Sequence, residues 1–381
     1  MEEITWREEV KIICPNRPVF ADNFMYKPYC RYIVSDYEAA FLVHNTPNTE
    51  WTHSSFNSWE RRYGGQDLNG KSVCLYRHTA FGDQLMMSSI PRYLKSKFPN
   101  ACIHLYCDPG IIEMWKNNPF VGGSAIPIPI PFEVARSYDY HIFFEGMLEN
   151  NGEHDQNCCY DDFFGVIGMP DVPDQFKRPH LIVHPRDYNF VREKKLDLDK
   201  PYLLYHLAPA NKNRCYPVEL AREFIIMFLE ETMFEEWRVI VVGKEKDKEA
   251  VFGPLRGIRG LIDLVNEAQS FRDCIPIVEK ANLMVCPDSA FLHLGACFPD
   301  VPMISLWGPF NPNDRAKYYV NNHPIFKPDV CPFAACRNHD FTLPIAKCVK
   351  ARNWKDGDRY CAALKNIEPC DIMNLAEKIL G

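Results

Sequence analysis

Apolar and polar positions along the chain change rhythm near Gly70. Before it, aromatic-rich pieces carrying Trp6, Phe20, Phe24, Tyr26, Tyr29, Trp51, Phe56 and Trp59 are separated by Pro and Asn, and this is the least regular part of the sequence. After it, short apolar runs are followed by segments of helical period, the mark of strand–helix units that build a parallel sheet. Residues 72–76 read as a buried strand and residues 84–98 as a helix, with Met86, Ile90, Leu94 and Phe98 four apart. Pro91 interrupts that helix and should kink it or shift its start, because proline lacks the amide proton and its ring collides with the preceding turn. A strand at 102–107, a helix near 111–116, a proline-alternating run at 126–131 and a strand at 140–144 complete the first cycle.

A second cycle follows residues 177–200, whose charge from Arg192 onward reads as an exposed crossing between two halves. Strands are expected at 202–207, 237–243, 283–286 and 303–307, and helices at 218–231, 274–280 and 291–297. The stretch 331–381 is loop-rich and ends in an amphipathic helix at 371–380. The expected division is therefore an amino-terminal elaboration of the first domain over 1–70, an α/β domain over 71–190, a second over 191–365, and a terminal helix over 366–381.

Composition narrows this picture. With 381 residues, 46% hydrophobic and 24% charged, the chain can bury sizeable cores without disulfide or metal staples. A net charge of −7 supplies no global basic field to recruit nucleic acid or anionic membrane. The acidic start (Glu2, Glu3, Glu8, Glu9) lacks a secretory pattern, and no apolar run reaches the ~18 residues of a membrane span. The 16 cysteines, many inside apolar runs, fit free thiols in a reducing cytoplasm.

Two loops carry candidate chemistry. Arg77-His78-Thr79-Ala80-Phe81-Gly82-Asp83 joins a strand to a helix, where loops of a parallel sheet line the ligand crevice. Asp83 is a candidate acid or base there, although an Asp before a helix is commonly only its cap. Gly82 would let the backbone approach a ligand or turn sharply. The second loop, Cys286-Pro287-Asp288-Ser289-Ala290-Phe291, ends a strand in Asp-Ser immediately before a helix, an arrangement suited to a diphosphate or, again, to a simple cap. His293 in that helix reads on its own as a core histidine.

Together the loops resemble glycosyltransferase family nine, the heptosyltransferase-like enzymes. The resemblance rests on Phe81-Gly82-Asp83-Gln84-Leu85 with Ile90-Pro91 and Phe98-Pro99, and on Asp288-Ser289 with His293-Leu294 and Leu306-Trp307-Gly308-Pro309. It implies an α/β fold of the GT-B type, two facing Rossmann-like domains with a carboxyl-terminal helix crossing back to the first. It implies an inverting, metal-independent transferase that moves a sugar from a nucleoside diphosphate-sugar, used as co-substrate with no cofactor, to a hydroxyl acceptor. Asp83 matches the family's base, which would take the proton of the attacking hydroxyl. Arg214, in Arg214-Cys215-Tyr216-Pro217 where the family tends to show Lys-x-Trp-Pro, and nearby Lys212 would face the diphosphate. Asp288, Ser289 and the amides of Ala290 and Phe291 would hold it from the other side, and His293 would buttress the turn or touch phosphate. Ala290 replaces the family's usual Gly. Glu245 falls where such folds contact the ribose, or else belongs to the charge run 244–249. Arg77 and His78 would orient the acceptor.

A glycan is the favoured acceptor. Hydroxymethylated bases in nucleic acid rank lower and would require basic and aromatic contacts from Arg61-Arg62-Tyr63 or Lys177-Arg178. A non-catalytic nucleotide-sugar binding protein and a sugar-nucleotide epimerase are the alternatives of other classes. Cys331, Cys336, His339, Cys348 and Cys361 are too irregularly spaced for a standard zinc site and read as packed thiols. Asp161-Asp162 and Asp197-Leu198-Asp199 read as solvated, and adjacent Cys158-Cys159 as redox-inert. No phosphate-binding G-x4-G-K-[ST] or zinc-protease H-E-x-x-H pattern occurs.

Overall fold

The computed structural model describes residues 10–21, 24–55, 63–78, 80–122, 125–145, 158–207, 212–244, 252–332, 334–337 and 360–381. The chain divides into two compact units, Met1–Lys177 and Arg178–Gly381.

In the first unit the strands are β1 (Val10–Pro15), β2 (Val19–Ala21), β3 (Phe24–Tyr26), β4 (Tyr32–Ser35), β5 (Trp51–Ser55), β6 (Ser72–Tyr76), β7 (Cys102–Cys107), β8 (Ile126–Pro127), β9 (Ile130–Pro131) and β10 (Tyr140–Phe143). They form a parallel sheet in the order β10-β6-β7-β8, an antiparallel sheet in the order β5-β1-β4-β9, and a β2-β3 hairpin. The proline-alternating run thus becomes two strands that serve different sheets: β8 pairs with β7, and β9 with β4. That pairing ties the irregular amino-terminal segment to the first unit. Its small core holds Ile13, Val19, Tyr26, Tyr32, Val34, Ala39 and Leu42, with Tyr26, Tyr32 and Phe24 edge to face. Helix α1 (Asp36–Asn45) closes it, capped by Ser35, whose side chain accepts from the Glu38 amide at 3.0 Å.

The helix expected at 84–98 is two helices, α2 (Phe81–Met87) and α3 (Ser89–Lys97). The break at Ser88 lies where Pro91 cannot donate to the Met87 carbonyl, so the shifted start has the expected cause.

The second unit carries β11 (Tyr202–His206), β12 (Arg238–Val242), β13 (Leu261–Asp263), β14 (Leu283–Pro287), β15 (Met303–Trp307) and β16 (Asn322–Phe326). All are parallel, in the order β13-β12-β11-β14-β15-β16. This is the doubly wound order 3-2-1-4-5-6, and its topological switch point lies between β11 and β14. β11, β14 and β15 are buried along their whole length, as a sheet covered on both faces requires. Helix α4 (Val218–Glu230) buries Val218, Ala221, Phe224, Ile225 and Phe228 on the sheet. Helix α5 (Ala290–Gly295) follows β14. The terminal helix α6 (Pro369–Leu380), expected to return to the first domain, places Ile372, Met373 and Ala376 in the core of the second unit. Just before it, the Ile367 carbonyl accepts from the Tyr216 hydroxyl at 2.7 Å.

Residues 177–200 are not the fully exposed crossing their charge suggests. Asp187 and Arg272 are buried and paired, Nε to Oδ1 at 2.8 Å and Nη2 to Oδ2 at 2.5 Å, and Phe190 and Val191 are buried beside them. The charges at the surface conceal a fastened segment.

Gly295 shows how closely α5 sits on the sheet. A Cβ there would lie 2.1 Å from the Met303 sulfur and 3.0 Å from that of Met284. Although alanine is the better helix former, Gly295→Ala should destabilise the fold by about 1–3 kcal/mol through overpacking. Urea unfolding measures this, and unchanged or raised stability would contradict the close packing.

Candidate active site

In the second unit, the candidate residues gather where β11 and β14 end, at the switch point. The Lys212–Arg214 turn follows β11, and Asp288 follows β14. Asp288 is almost completely buried and faces two guanidinium groups. Arg214 Nη1 lies 3.4 Å from Oδ2, and Arg315 Nη1 lies 3.3 and 3.2 Å from Oδ1 and Oδ2. The Arg315 guanidinium also lies over the Phe310 ring, 4.1 Å from its centroid. Arg214 Nε is buried and has no hydrogen-bond partner among the described residues. An unpaired charged donor is costly to bury, so this one is suited to an anion arriving from outside the protein.

Ser289 caps α5, its hydroxyl accepting from the Phe291 amide at 3.3 Å and lying 3.2 Å from His206 Nδ1. The Phe291 amide is therefore engaged by the cap. His206 stacks on the Phe291 ring at 4.1 Å, with the planes 15° apart, and burial pushes its pKa down to about 3. It is a neutral wall of the site at ordinary pH. His293 is 2% exposed and bonds through Nδ1 to the Tyr319 hydroxyl at 2.7 Å, so it buttresses α5 from the core. Ala290 opens α5 as its first residue. Glu245 lies outside the described residues, and of Lys212 only the backbone is described.

In the first unit, the loop after β6 is held by neighbouring strand ends. Asp83 sits in the first turn of α2 with its side chain 21% exposed and pairs with Arg77. Gly82 is the second residue of the same helix, so it makes no separate turn. The His78 amide donates to Glu145 Oε2 at 2.9 Å, and its ring Nε2 lies 3.8 Å from Asp108 Oδ2. Glu145 follows β10 and Asp108 follows β7. Three carboxylates thus collect at the carboxyl ends of three adjacent parallel strands. Arg77, expected to orient the acceptor, is instead buried at 1% exposure.

Sequence reasoning missed Arg315, His206, Glu145 and Asp108. Asn311-Pro312-Asn313-Asp314 does carry a capping-box signal for the short helix ending in Arg315. Nothing local marks its contact with Asp288, 27 residues earlier. Other features recede. Asp161 is paired with buried Lys177 at 2.7 Å rather than solvated, and Tyr63 is buried, so neither Lys177 nor Tyr63 offers a nucleic-acid contact. Arg61 and Arg62 lie outside the described residues. Cys158 and Cys159 are buried free thiols. Among the described residues no helix is long and apolar enough to cross a membrane, and no group of three His, Cys, Asp or Glu could hold a metal.

Residues 170–331 match the profile of glycosyltransferase family 9 (heptosyltransferase). That match bears out the resemblance read from the sequence and, with it, the expectation of a glycosyltransferase enzyme. The fold is that of solved members of this group. A family 9 glycosyl transferase from Veillonella parvula DSM 2008 is 16% identical, with 83% of this chain and 98% of that one covered, at a TM-score of 0.62. The E. coli ADP-heptose LPS heptosyltransferase II is 16% identical over 81% and 98%, at 0.59. TibC, described as an iron-containing dodecameric glycosyltransferase from enterotoxigenic E. coli H10407, is 13% identical over 98% and 92%, at 0.57. No curated protein matches by sequence.

The buried neutral His206 makes stability depend on pH. Its folded pKa lies below the unfolded value of 6.5, so between about 6.5 and 3 the unfolded chain binds the extra proton and stability falls as pH falls. The upper limit is roughly 1.4 kcal/mol per pH unit. His206→Gln should flatten the acid side of a plot of unfolding free energy against pH by up to one proton. An unchanged slope would mean that His206 is protonated in place.

Proposed function

We propose that the chain is an inverting GT-B glycosyltransferase. It takes a sugar from a nucleoside diphosphate-sugar held at the second unit's switch point and delivers it to a hydroxyl acceptor, a glycan in preference to a nucleic-acid base. The observation that carries this reading is the placement of Arg214 and the Asp288-Ser289 turn at the ends of β11 and β14, inside the segment matched by the family profile. Arg214, oriented by Asp288 and with its Nε in reserve, would take the diphosphate. Ser289, Ala290 and Lys212 border the same strand ends. Positive charge there stabilises the negative charge that builds on the diphosphate as the glycosidic bond breaks. Glu245, outside the described residues, would contact the ribose.

Asp83 would act as the base. The acceptor hydroxyl loses its proton to the carboxylate as its oxygen attacks the anomeric carbon from the face opposite the leaving diphosphate, which inverts that centre. His78, beside Asp108 and Glu145, would help seat the acceptor. The donor to try first is an adenosine diphosphate heptose, since TibC has been solved with ADP-D-beta-D-heptose.

The chemistry proposed needs no metal. TibC is described as iron-containing, but the described residues here gather no ligand set, and His339 and Cys348 lie outside them. Transfer should therefore proceed undiminished in excess EDTA with no divalent ion added, and restoration of a lost rate by magnesium or manganese would contradict the proposal. Metal quantification of the purified chain checks the packed-thiol reading of Cys331, Cys336, His339, Cys348 and Cys361, which expects less than stoichiometric metal.

Asp83→Ala tests the reading as a whole. Turnover of donor should fall about 10²–10⁴-fold, while binding of the nucleoside diphosphate stays within a factor of two or so. Turnover unaffected by the substitution would contradict the base assignment, and turnover of donor in which the sugar is only epimerised would favour the epimerase alternative.

A further inference from the structure

Arg77 is engaged on three sides at the root of the loop that presents Asp83. Its Nη2 pairs with Asp83, while Nη1 donates to the Phe144 carbonyl at 2.9 Å, just beyond β10. Its own carbonyl accepts from Gln84 Nε2 at 2.7 Å, and Gln84 Oε1 in turn accepts from Trp115 Nε1 at 3.0 Å. The guanidinium therefore joins two adjacent strand ends to the first turn of α2, and with 1% exposure it has no surface left to offer an acceptor.

We propose that Arg77 is a positioning residue for Asp83: it fixes the direction of the carboxylate and holds it ionised, without touching the acceptor. This rests on the reading of Asp83 as the base. A carboxylate in the first turn of a helix, one-fifth exposed, can otherwise swing between rotamers or take up a proton from water. The guanidinium cannot follow such a swing, because its other arm is fastened to the backbone of Phe144. Leaving it unpaired in a buried position is strongly disfavoured, so the pair persists. Arginine is required because its planar fork reaches a carboxylate and a carbonyl together, whereas a lysine ammonium reaches one of them as a point charge. Among the described residues, the titratable groups at these strand ends include His78, Asp108 and Glu145, beside the buried Tyr76 and Cys107 that end β6 and β7. The two carboxylates among them would make ionisation of Asp83 harder without a cation, which sets the direction of the effect.

The test compares Arg77→Ala, Arg77→Lys and Asp83→Asn in the full chain with the wild type. The Asp83 carboxyl is titrated by 13C NMR of aspartate-labelled protein, its signal assigned by loss in Asp83→Asn. ADP release from ADP-heptose with water as the acceptor is followed in parallel, with ADP binding and circular dichroism as controls. In Arg77→Ala the Asp83 titration should move upward by at least one pH unit. ADP release should fall about 10- to 100-fold with ADP binding unchanged, and added guanidinium ion should recover part of both. Arg77→Lys, which retains the charge and covers the case in which the alanine variant does not fold, should keep the titration near that of the wild type yet lose most of the rate. Folded Arg77 variants with wild-type titration and rate would overturn the proposal. So would a rate loss in Arg77→Ala with an unmoved titration and no rescue by guanidinium. Wild-type ADP release by Asp83→Asn would instead overturn the base assignment, whatever Arg77 does.

Discussion

A carboxylate or guanidinium withdrawn from water must meet an opposite charge, and this constraint organises the candidate site and its support. Loops at the ends of parallel strands would ordinarily be free to move. Here they are tied by buried ion pairs: Arg77 with Asp83 in the first unit, and Arg214 and Arg315 with Asp288 in the second. The Asp187–Arg272 pair does the same for the segment that opens the second unit. Such pairs contribute little net stability, since desolvation offsets much of the attraction, but breaking one by removing a partner is expensive. Their effect is therefore geometric. They make one arrangement of each loop far more favourable than its neighbours.

The second unit shows how fold and site follow from the same sequence pattern. Apolar runs buried on both faces produce the parallel sheet, and the order in which they are laid down produces a switch point between β11 and β14. At that point the chain places arginines, a serine cap and a neutral histidine. The histidine is neutral because it is buried, and it stays buried because Phe291 stacks on it. Packing and electrostatics are not separable here: the α5 turn that carries Ser289 is positioned by Gly295 lying against Met303 and by His293 bonding Tyr319.

How much of this was legible in the sequence depended on the range of the interaction. Ser72–Tyr76, Cys102–Cys107 and Met303–Trp307 were recognisable because buried parallel strands are nearly continuous apolar runs. The Pro91 interruption was legible because its cause lies within four residues. The amino-terminal antiparallel sheet was not. Its strand Trp51–Ser55 is mostly polar and pairs with β1, 36 to 44 residues earlier, while β4 finds its second partner in β9 at Ile130–Pro131. Asp83, Asp288 and Ser289 were marked by local motifs, whereas the roles of Arg77 and Arg315 were set by partners that no local pattern identifies. The loop that carries Arg77 is legible locally, whereas its contact with the Phe144 carbonyl spans 67 residues and is not.

The central claim is that the ends of β11 and β14 hold a nucleoside diphosphate through Arg214. Thermal unfolding of the full chain against a panel of nucleoside diphosphates measures it most directly, because a ligand that binds only the folded state raises the melting temperature by mass action. The account predicts that one member of the panel, at about 100 times its dissociation constant, raises Tm by roughly 3 °C or more. It also predicts that Arg214→Ala abolishes this shift when each protein is compared with its own unliganded Tm, which loss of the Arg214–Asp288 pair lowers in the variant. No response to any nucleoside diphosphate, or an equal response in Arg214→Ala, would contradict it.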